Sequence, residues 1–377
     1  MDVLIGSGIA AFTIYAAMKW NKSDKEKIQH VFRNVGYRVG DREPKLFKTH
    51  KTKKHTLYSY HVPYGLVDDE KLNVIEQTLN KPTKITFQNT KLHIKVYNQK
   101  LPTEIAYDWI LTDGWDVPIG YDQERLVTHD FDKIPHMTVA GMTRNGKSVL
   151  LKLIMAHLIN NHPHDVEFYI IDLKEKLEFG PYETLKQVKN VAGNVYEAKS
   201  ALANVLKQMK KDMYQFRKNG YNNVLNANIR ERKFVIVDEA GELVPPSYLD
   251  KEEKEPYQYC QRALSQIARI GGGIGYRLVF ATQYPTSDTL PREIKQNADA
   301  KISFRLPTRI ASEVAIDEGG AEKLRNPGRA IYRQQEKHIL QVPFVADEEI
   351  QRNLKEWYCD TNGKKEDQGR TDIITFR

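Results

Sequence analysis

The chain has 377 residues, 40% of them hydrophobic, and a formal net charge of +8. This composition is sufficient for a sizeable core, so it excludes a wholly disordered protein. The two cysteines, Cys260 and Cys359, have neither a CxxC spacing nor paired histidines, which excludes a disulfide framework and a zinc-finger type of protein. The basic balance favours an anionic partner such as nucleic acid or anionic lipid, although a basic protein without such a partner fits the charge equally well.

An uncharged apolar run covers residues 3–18 and is followed directly by several lysines. A spanning helix needs about 20 apolar residues, and Lys19 and Trp20 extend the run as interface anchors. We therefore predict a single transmembrane anchor over residues 1–20. Because the lysines follow the run, the rest of the chain is expected on the cytoplasmic face of the cell membrane. The alternative is a buried N-terminal helix in a cytoplasmic protein.

Residues 21–116 predict a small basic α+β domain. Alternating apolar residues indicate strands over 56–62, 84–88 and 91–97, and residues 68–79 have the pattern of a short helix. The densest group of lysines lies between residues 45 and 54. This group is interpreted as a contact to anionic lipid, as a contact to phosphates, or as a solvated basic surface.

From residue 117 to 345, apolar runs alternate with longer helical stretches. Strands are predicted over residues 136–140, 166–172, 233–238, 277–282 and 301–306, and helices over 148–160, 198–218 and 257–270. Nearly continuous apolar strands between helices are typical of a parallel sheet that is covered on both faces, which defines an α/β fold. Residues 346–377 are polar and predict a tail with one short helix.

One segment matches the phosphate-binding pattern G-x-x-x-x-G-K-[ST] at every position. Its residues are Gly141, Met142, Thr143, Arg144, Asn145, Gly146, Lys147 and Ser148. The glycines let the backbone N–H groups approach phosphate oxygens, Lys147 would reach the β- and γ-phosphates, and the Ser148 hydroxyl would bind Mg²⁺. An apolar strand precedes the segment and a helix follows it, so we predict an ATP site rather than a glycine turn with an exposed lysine.

A second acidic element follows the apolar run at residues 234–237. Asp238 is predicted to hold Mg²⁺, and Glu239 is placed to activate the attacking water as a general base. An acidic helix cap is the structural alternative for Asp238. Two adjacent acids favour hydrolysis over transfer of phosphate to a metabolite.

Two further strands end in polar residues that would lie at the same edge of the sheet. Gln283 follows the run at 278–282 and is our candidate for sensing the γ-phosphate. Asp172 and Lys174 follow the run at 166–171 and would line the same crevice, although a plain capping role fits Asp172 equally well.

Several segments together resemble the FtsK/SpoIIIE family of DNA translocases, within the FtsK–HerA branch of RecA-like P-loop ATPases. The matching segments are residues 117–120, 134–141, 171–174, 237–239, 278–285, 294–297, 312–324 and 328–330. The phosphate loop alone is generic, whereas the Ala-Thr-Gln strand end at Gln283 and the Asp-Glu-Gly-Gly-Ala-Glu segment from Asp317 are more specific. The Pro-His pair at His136 also fits the family, so His136 is expected to be structural.

The resemblance implies a RecA-like core that assembles as a homo-oligomer, a hexameric ring around double-stranded DNA. ATP would lie between neighbouring subunits, and an arginine of the adjacent subunit would complete each site. The family often has a Gly-Arg pair before the Ala-Thr-Gln strand, but no arginine stands at residues 270–275. Arg269 is our candidate for this arginine finger, and Arg262 and Arg277 are the neighbouring alternatives.

The chain ends soon after the motor segment, so a sequence-reading winged-helix module is not expected. A compact, singly anchored motor resembles the type that plasmids, integrative elements or phages use in DNA transfer or replication, where relaxase or transfer-channel proteins would be further partners. The alternatives are a viral genome-packaging ATPase and a nucleotide-gated membrane adaptor for DNA-processing proteins. A metabolite kinase is the least favoured interpretation.

Overall fold

The computed structural model describes residues 22–67, 70–88 and 90–359. The chain forms two compact units, which divide between Leu101 and Pro102. Within the described ranges, no helix has the length and apolar content that a membrane crossing requires. The anchor predicted over residues 1–20 lies outside the described residues, so it stays a prediction.

The first unit is a four-stranded antiparallel sheet with two helices, in the spatial order β1-β2-β4-β3. Its strands are β1 (Lys45–Lys51), β2 (His55–His61), β3 (Thr83–Gln88) and β4 (Lys91–Tyr97). Helix α1 (Asp24–Asn34) starts with a capping box between Ser23 and Glu26, and α2 (Val74–Leu79) ends at the left-handed Asn80. The predicted small α+β domain is thereby confirmed.

The helices of the first unit pack on one face of its sheet. Ile28 and Phe32 of α1 and Ile75 of α2 are fully buried against Tyr60 and Ile94 of the strands. This cluster gives the unit a hydrophobic core of its own, which accounts for its compactness.

The second unit is built on a ten-stranded sheet in the order β6-β5-β14-β13-β12-β7-β11-β10-β8-β9. Its strands are β5 (Asp116–Tyr121), β6 (Leu126–Asp130), β7 (His136–Ala140), β8 (Val166–Ile171), β9 (Val188–Ala192), β10 (Arg232–Val237), β11 (Tyr276–Thr282), β12 (Ala300–Ser303), β13 (Arg329–Arg333) and β14 (Lys337–Gln341). The six strands from β12 to β9 run parallel, and the other four are antiparallel. The predicted, mainly parallel α/β core is confirmed.

Helices cover both faces of the parallel strands. They are α3 (Lys147–Asn161), α4 (Val195–Asn219), α5 (Lys251–Ile270), α6 (Arg292–Asn297), α7 (Arg309–Ile316) and α8 (Asp347–Asn353). Short 3₁₀ turns lie at Glu70–Asn73, Gly180–Tyr182, Ala240–Leu243, Gly272–Ile274, Ala321–Lys323 and Lys355–Trp357. In β10, Phe234 and Ile236 pack on the side of α3, and Val235 and Val237 pack on the side of α4 and α5. This alternation explains why the strand is apolar throughout.

The structure places both ends of the second unit beyond the predicted 117–345. Residues 102–116 belong to this unit, because Trp115 packs into its core and the Tyr107 hydroxyl lies 2.7 Å from Nδ1 of His157 in α3. At the other end, Ile350 and Leu354 are fully buried in the same core. The region predicted as a polar tail therefore contributes packed residues up to Leu354.

Three histidines of the second unit are buried, and burial lowers their pKa below the ordinary 6.5. The pKa is about 4 for His129 and for His157, and about 3 for His136. The ring of His136 is placed by its Nδ1, which accepts a hydrogen bond from the Leu278 N–H at 3.0 Å. These histidines therefore stay neutral in the folded chain at neutral pH.

We expect the protein to lose stability as the pH falls below about 6.5, because the unfolded chain then binds protons that the folded chain excludes. Three such groups give a slope of up to about 4 kcal/mol per pH unit, and the contribution is fully present above the unfolded pKa. Thermal unfolding followed by circular dichroism between about pH 7.5 and pH 5 measures it. His136→Asn keeps an acceptor for Leu278 and should lower this slope; an unchanged slope would contradict the assignment.

Candidate nucleotide-binding site

The carboxyl ends of β7, β10 and β11 meet in one crevice at an edge of the parallel sheet. The phosphate loop leaves β7, Asp238 and Glu239 follow β10, and Gln283 follows β11. The strand order β7-β11-β10 makes these ends neighbours, although the residues are far apart in sequence. The three predicted elements therefore converge on a single site, as expected for ligand sites at strand ends.

The phosphate loop has the backbone conformation that its glycines allow. Gly146 has a φ of 109° and starts α3, and Arg144 also has a positive φ of 60°. A Cβ atom at Gly141 would lie 2.7 Å from the Cβ of Phe304, so this position accepts no side chain. Met142, Thr143 and Arg144 are exposed at the tip of the loop. The first N–H groups of α3 thus point into the crevice with the positive end of the helix dipole.

Lys147 is buried between the two acids after β10. Its Nζ lies 3.0 Å from Asp238 Oδ1 and 3.7 Å from Glu239 Oε2, and it also donates to the backbone carbonyl of Asp238. The residues are 5%, 1% and 5% exposed, so water hardly screens this pairing. The ammonium group therefore balances two buried carboxylates that would otherwise repel each other.

Glu239 is held by one carboxylate oxygen and leaves the other toward the crevice. Oε1 accepts hydrogen bonds from Thr282 Oγ1 at 3.2 Å, from the Gln283 N–H at 3.1 Å and from the Gly241 N–H at 3.2 Å. Oε2 is buried without a hydrogen-bond partner among the described residues and faces the ammonium groups of Lys147 and Lys174. Three donors on one oxygen fix the carboxylate and keep the second oxygen available to a reactant.

The donor set fits a magnesium-bound nucleotide. Asp238 Oδ2 is buried without a hydrogen-bond partner among the described residues, and Ser148 Oγ lies 3.4 Å from Asp238 Oδ1. A carboxylate and a hydroxyl side by side are oxygen ligands of the kind that Mg²⁺ prefers. The neighbouring backbone N–H groups and Lys147 are the complementary donors for phosphate oxygens.

The other predicted crevice residues are in place, but they differ in how they contribute. Lys174 Nζ lies 3.9 Å from Glu239 Oε2, so Lys174 lines the site. Gln283 reaches Glu239 through its backbone N–H, and its side chain is half-buried. Asp172 instead caps the following loop, because its Oδ2 accepts the N–H groups of Glu178 and Phe179 at 2.9 Å. The sensing role of Gln283 stays a prediction.

The three arginines considered for the arginine finger lie in different environments. Arg277 is 1% exposed, pairs with Asp132 at 2.7 Å and donates to the carbonyl of Gly272. Its buried position excludes it from contact with a neighbouring subunit. Arg269, our candidate, and Arg262 are exposed on α5. The structure of one chain leaves both available to a neighbour.

Sequence reasoning missed two parts of this site. Thr282 was placed at the polar end of its strand, but its contact was not predicted: its hydroxyl holds Glu239. A cavity of about 530 Å³ lies beside the phosphate loop, lined by Arg144, Gly146 and Val149 together with residues 103–105, 326–328 and 341–344. No motif reports the Thr282–Glu239 contact or the cavity, because each depends on contacts between segments that are distant in the chain. Pro residues at 327 and 343 mark the turns concerned, but they indicate loops only.

This fold and this site define a P-loop ATPase with a RecA-like core. The FtsK/SpoIIIE family profile matches residues 115–328, which is more than half of the chain. The chain belongs to the FtsK/SpoIIIE family, as its motifs predicted.

Two bacterial DNA translocases are similar in sequence to part of this chain. The chain is 27% identical over 257 residues to the DNA translocase FtsK of Leptospira interrogans, which covers 63% of this chain and 26% of that protein. It is 29% identical over 287 residues to the DNA translocase FtsK of Staphylococcus epidermidis, covering 71% of this chain and 34% of that protein. The chain thus spans only about a third or less of the length of these relatives.

Solved structures show the same fold at low sequence identity. The pCW3 conjugation coupling protein TcpA, determined as a monomer with ATPγS, superposes with a TM-score of 0.66 at 21% identity, over 89% of this chain and 99% of that chain. The cytoplasmic domain of the Thermomonospora curvata type VII secretion ATPase EccC superposes with a TM-score of 0.57 at 20% identity, over 69% of this chain and 33% of that chain.

Proposed function

We propose that this protein hydrolyses ATP to move double-stranded DNA. The observation that carries the proposal is the convergence of Lys147, Asp238 and Glu239 in one buried crevice, within a chain of the FtsK/SpoIIIE family. The DNA translocase relatives and the coupling protein with the same fold support DNA as the cargo. The basic balance of the chain fits a polyanion that is held through its backbone.

In this mechanism the residues of the crevice divide binding and hydrolysis between them. The loop N–H groups and Lys147 would bind the phosphates, and Ser148 and Asp238 would hold Mg²⁺, which would supply positive charge to neutralise the phosphates. Glu239 accepts a proton from the attacking water through Oε2, since Oε1 is occupied by Thr282 and two backbone donors. Gln283 lies beside Glu239, and its side chain is the proposed group that orients the γ-phosphate.

The cavity beside the phosphate loop is the proposed site of the base and ribose. Its walls include the apolar side chains of Ile105, Val149, Pro327, Val342 and Phe344. Arg144 and Gly146 of the phosphate loop also line the cavity, so a nucleotide can extend from the crevice into it. An apolar cavity of this size is suitable for a purine ring.

The finer parts of the proposal concern assembly and location. The chain would work as a ring, a hexamer in the family pattern, with Arg269 of one subunit completing the site of the next. We place the protein in DNA transfer by a plasmid, integrative element or phage, and the fold shared with the conjugation coupling protein TcpA supports this setting. Relaxase or channel proteins would be the partners of this chain there. The proposed location is the cytoplasmic face of the cell membrane, with residues 1–20 as the anchor.

Arg269→Ala should slow ATP hydrolysis only in the assembled protein, because Arg269 would act on the site of the neighbouring subunit. Equal slowing of ATP hydrolysis in a dilute monomer would exclude Arg269 as the arginine finger.

ATP turnover with and without DNA tests the proposed function. We expect duplex DNA to raise the turnover rate of the full chain several-fold, independently of sequence, because a backbone contact carries no base information. The assay uses a random duplex at several salt concentrations, with heparin as a matched polyanion that cannot be translocated. If DNA leaves turnover unchanged in an assembled ring, the DNA-motor proposal is wrong. Equal stimulation by heparin would reduce it to polyanion binding.

A further inference from the structure

The strands of the first unit have a one-sided charge composition. β1, β2, β3 and β4 contain six lysines and four histidines but no aspartate or glutamate. Two ion pairs of this unit, Arg33 with Glu43 and Lys81 with Asp24, lie outside the strands. The formal charge of the four strands is therefore wholly positive.

The strand register divides the side chains of this sheet between two faces. Tyr60 lies opposite Leu46 and Leu92, and these residues pack with the helices. The alternate positions form the second face, which we call the open face. It consists of Lys45, Phe47, Lys48, His50, His55, Leu57, Ser59, His61, Lys84, Thr86, Gln88, Lys91, His93, Lys95 and Tyr97. Five of the six strand lysines thus share this face.

The lysines of the open face are accessible. Lys45, Lys48, Lys84 and Lys91 are exposed, and they are distributed over three of the four strands. Neighbouring strands lie about 4.8 Å apart and alternate residues about 6.8 Å apart, so the ammonium groups form a flat array. Such an array can contact several phosphates of one nucleic-acid backbone at once.

We propose that the open face binds the phosphate backbone of DNA. The array of lysines is complementary to the charge of a duplex, which has about one charge per 1.7 Å of helix axis. Ser59, Thr86 and Gln88 add hydroxyl and amide groups that suit phosphate oxygens. The proposal takes DNA as the polyanion from the proposed function, and it adds a contact surface outside the ATPase unit.

Two other interpretations fit the open face less well. A base-stacking surface needs an aromatic ring with a free face, but Phe47 is stacked on His61 at 4.1 Å and the Lys91 ammonium lies 5.8 Å from its ring centre. An anionic membrane could attract the same lysines, but the one phenylalanine of the open face, Phe47, is stacked on His61 and adds no free apolar anchor that would favour lipid over DNA. Contact with phosphates needs only exposed ammonium groups, which the lysines of the open face already provide.

The test is binding of a fluorescent duplex of about 30 base pairs to the full chain without nucleotide, between about 50 and 200 mM salt. The variant Lys45→Glu/Lys48→Glu/Lys91→Glu reverses the charge of the open face. We expect at least about a tenfold loss of affinity and a salt slope smaller by about three, since each phosphate contact contributes about one. The matched control, Lys22→Glu/Lys25→Glu/Lys27→Glu, makes the same charge change at and before α1, on the other side of the sheet, and should bind almost as wild type does.

The results of this binding test can be told apart from a failure of the proposed function. If the triple variant and its control lose affinity equally, or neither loses any, the open face is not a DNA site. If instead the variant loses co-sedimentation with phosphatidylserine vesicles and keeps its DNA affinity, the face is a membrane surface and the proposal is wrong. Because the binding assay contains no nucleotide, a failure of DNA to stimulate turnover affects only the motor proposal. Unfolding curves show whether the variants are folded. The milder variant Lys45→Gln/Lys48→Gln/Lys91→Gln removes the same charges without adding negative ones.

Discussion

Lys147→Ala should lower the rate of ATP hydrolysis by at least about a hundredfold, because it removes a charged donor that is aimed at the phosphates in a site shielded from water. The change also leaves Asp238 and Glu239 buried without their shared cation, at 3.0 and 3.7 Å from the lost ammonium. Removing one partner of a buried ion pair costs about 3–5 kcal/mol of stability. Turnover and thermal unfolding of the same preparation measure the two effects.

Lys152→Ala is the matched control, since it separates loss of a buried lysine from loss of the catalytic one. Lys152 lies on the same helix α3, is 8% exposed, and pairs with Glu178 at 2.8 Å and with Asp347 at 3.1 Å. Its ion-pair partners are not residues of the crevice, so its loss should lower the unfolding temperature and leave turnover of the folded protein close to wild type. If both variants lost turnover equally, general destabilisation would explain the result. If Lys147→Ala kept its turnover, the whole site assignment would be wrong.

The parts of the fold that could be predicted are those in which burial determines the sequence. β7, β8, β10 and β11 are covered on both faces, so each is a run of apolar residues that is visible without any partner. β9 and β1, both edge strands, were not predicted, although the edge strand β3 was. In β9 only one neighbour pairs with the strand, and β1 has exposed lysines where a buried strand has apolar residues.

In the site, too, the features that depend on neighbouring residues could be predicted, and those that depend on residues distant in the chain could not. The spacing of Gly141, Gly146 and Lys147 is local, so the motif predicted the loop and its lysine directly. The clamp on Glu239 combines the N–H of Gly241, in the turn that Glu239 caps, with the Thr282 hydroxyl and the Gln283 N–H from the end of β11. No sequence pattern reports the two contacts from β11. For Arg277 the sequence was misleading, because an arginine is expected to be exposed. Its ion pair with Asp132 offsets the free-energy cost of burying its charge.

Glu239→Gln should bind ATP and hydrolyse it about a hundredfold to ten-thousandfold more slowly, because an amide accepts no proton from the attacking water. The substitution keeps the shape of the side chain, and its amide oxygen can still accept from Thr282 and the Gln283 N–H. Its NH₂ group would then face Lys147 and Lys174, where a carboxylate oxygen now stands, so a modest loss of stability is also expected. Rapid-quench turnover and retention of labelled ATP on the protein measure the result.

Glu242→Gln is the control for this variant, because Glu242 is an exposed acid in the next turn of the same segment. It should hydrolyse ATP as wild type does and retain none. If Glu239→Gln turned over at the wild-type rate, the proton would have to leave through another group, and Asp238 would be the remaining acid in the crevice. If the variant failed to bind ATP at all, Glu239 would act mainly by positioning Lys147. Only retained ATP with slow hydrolysis fits a carboxylate whose Oε2 is kept free for water while Oε1 is tied to three donors.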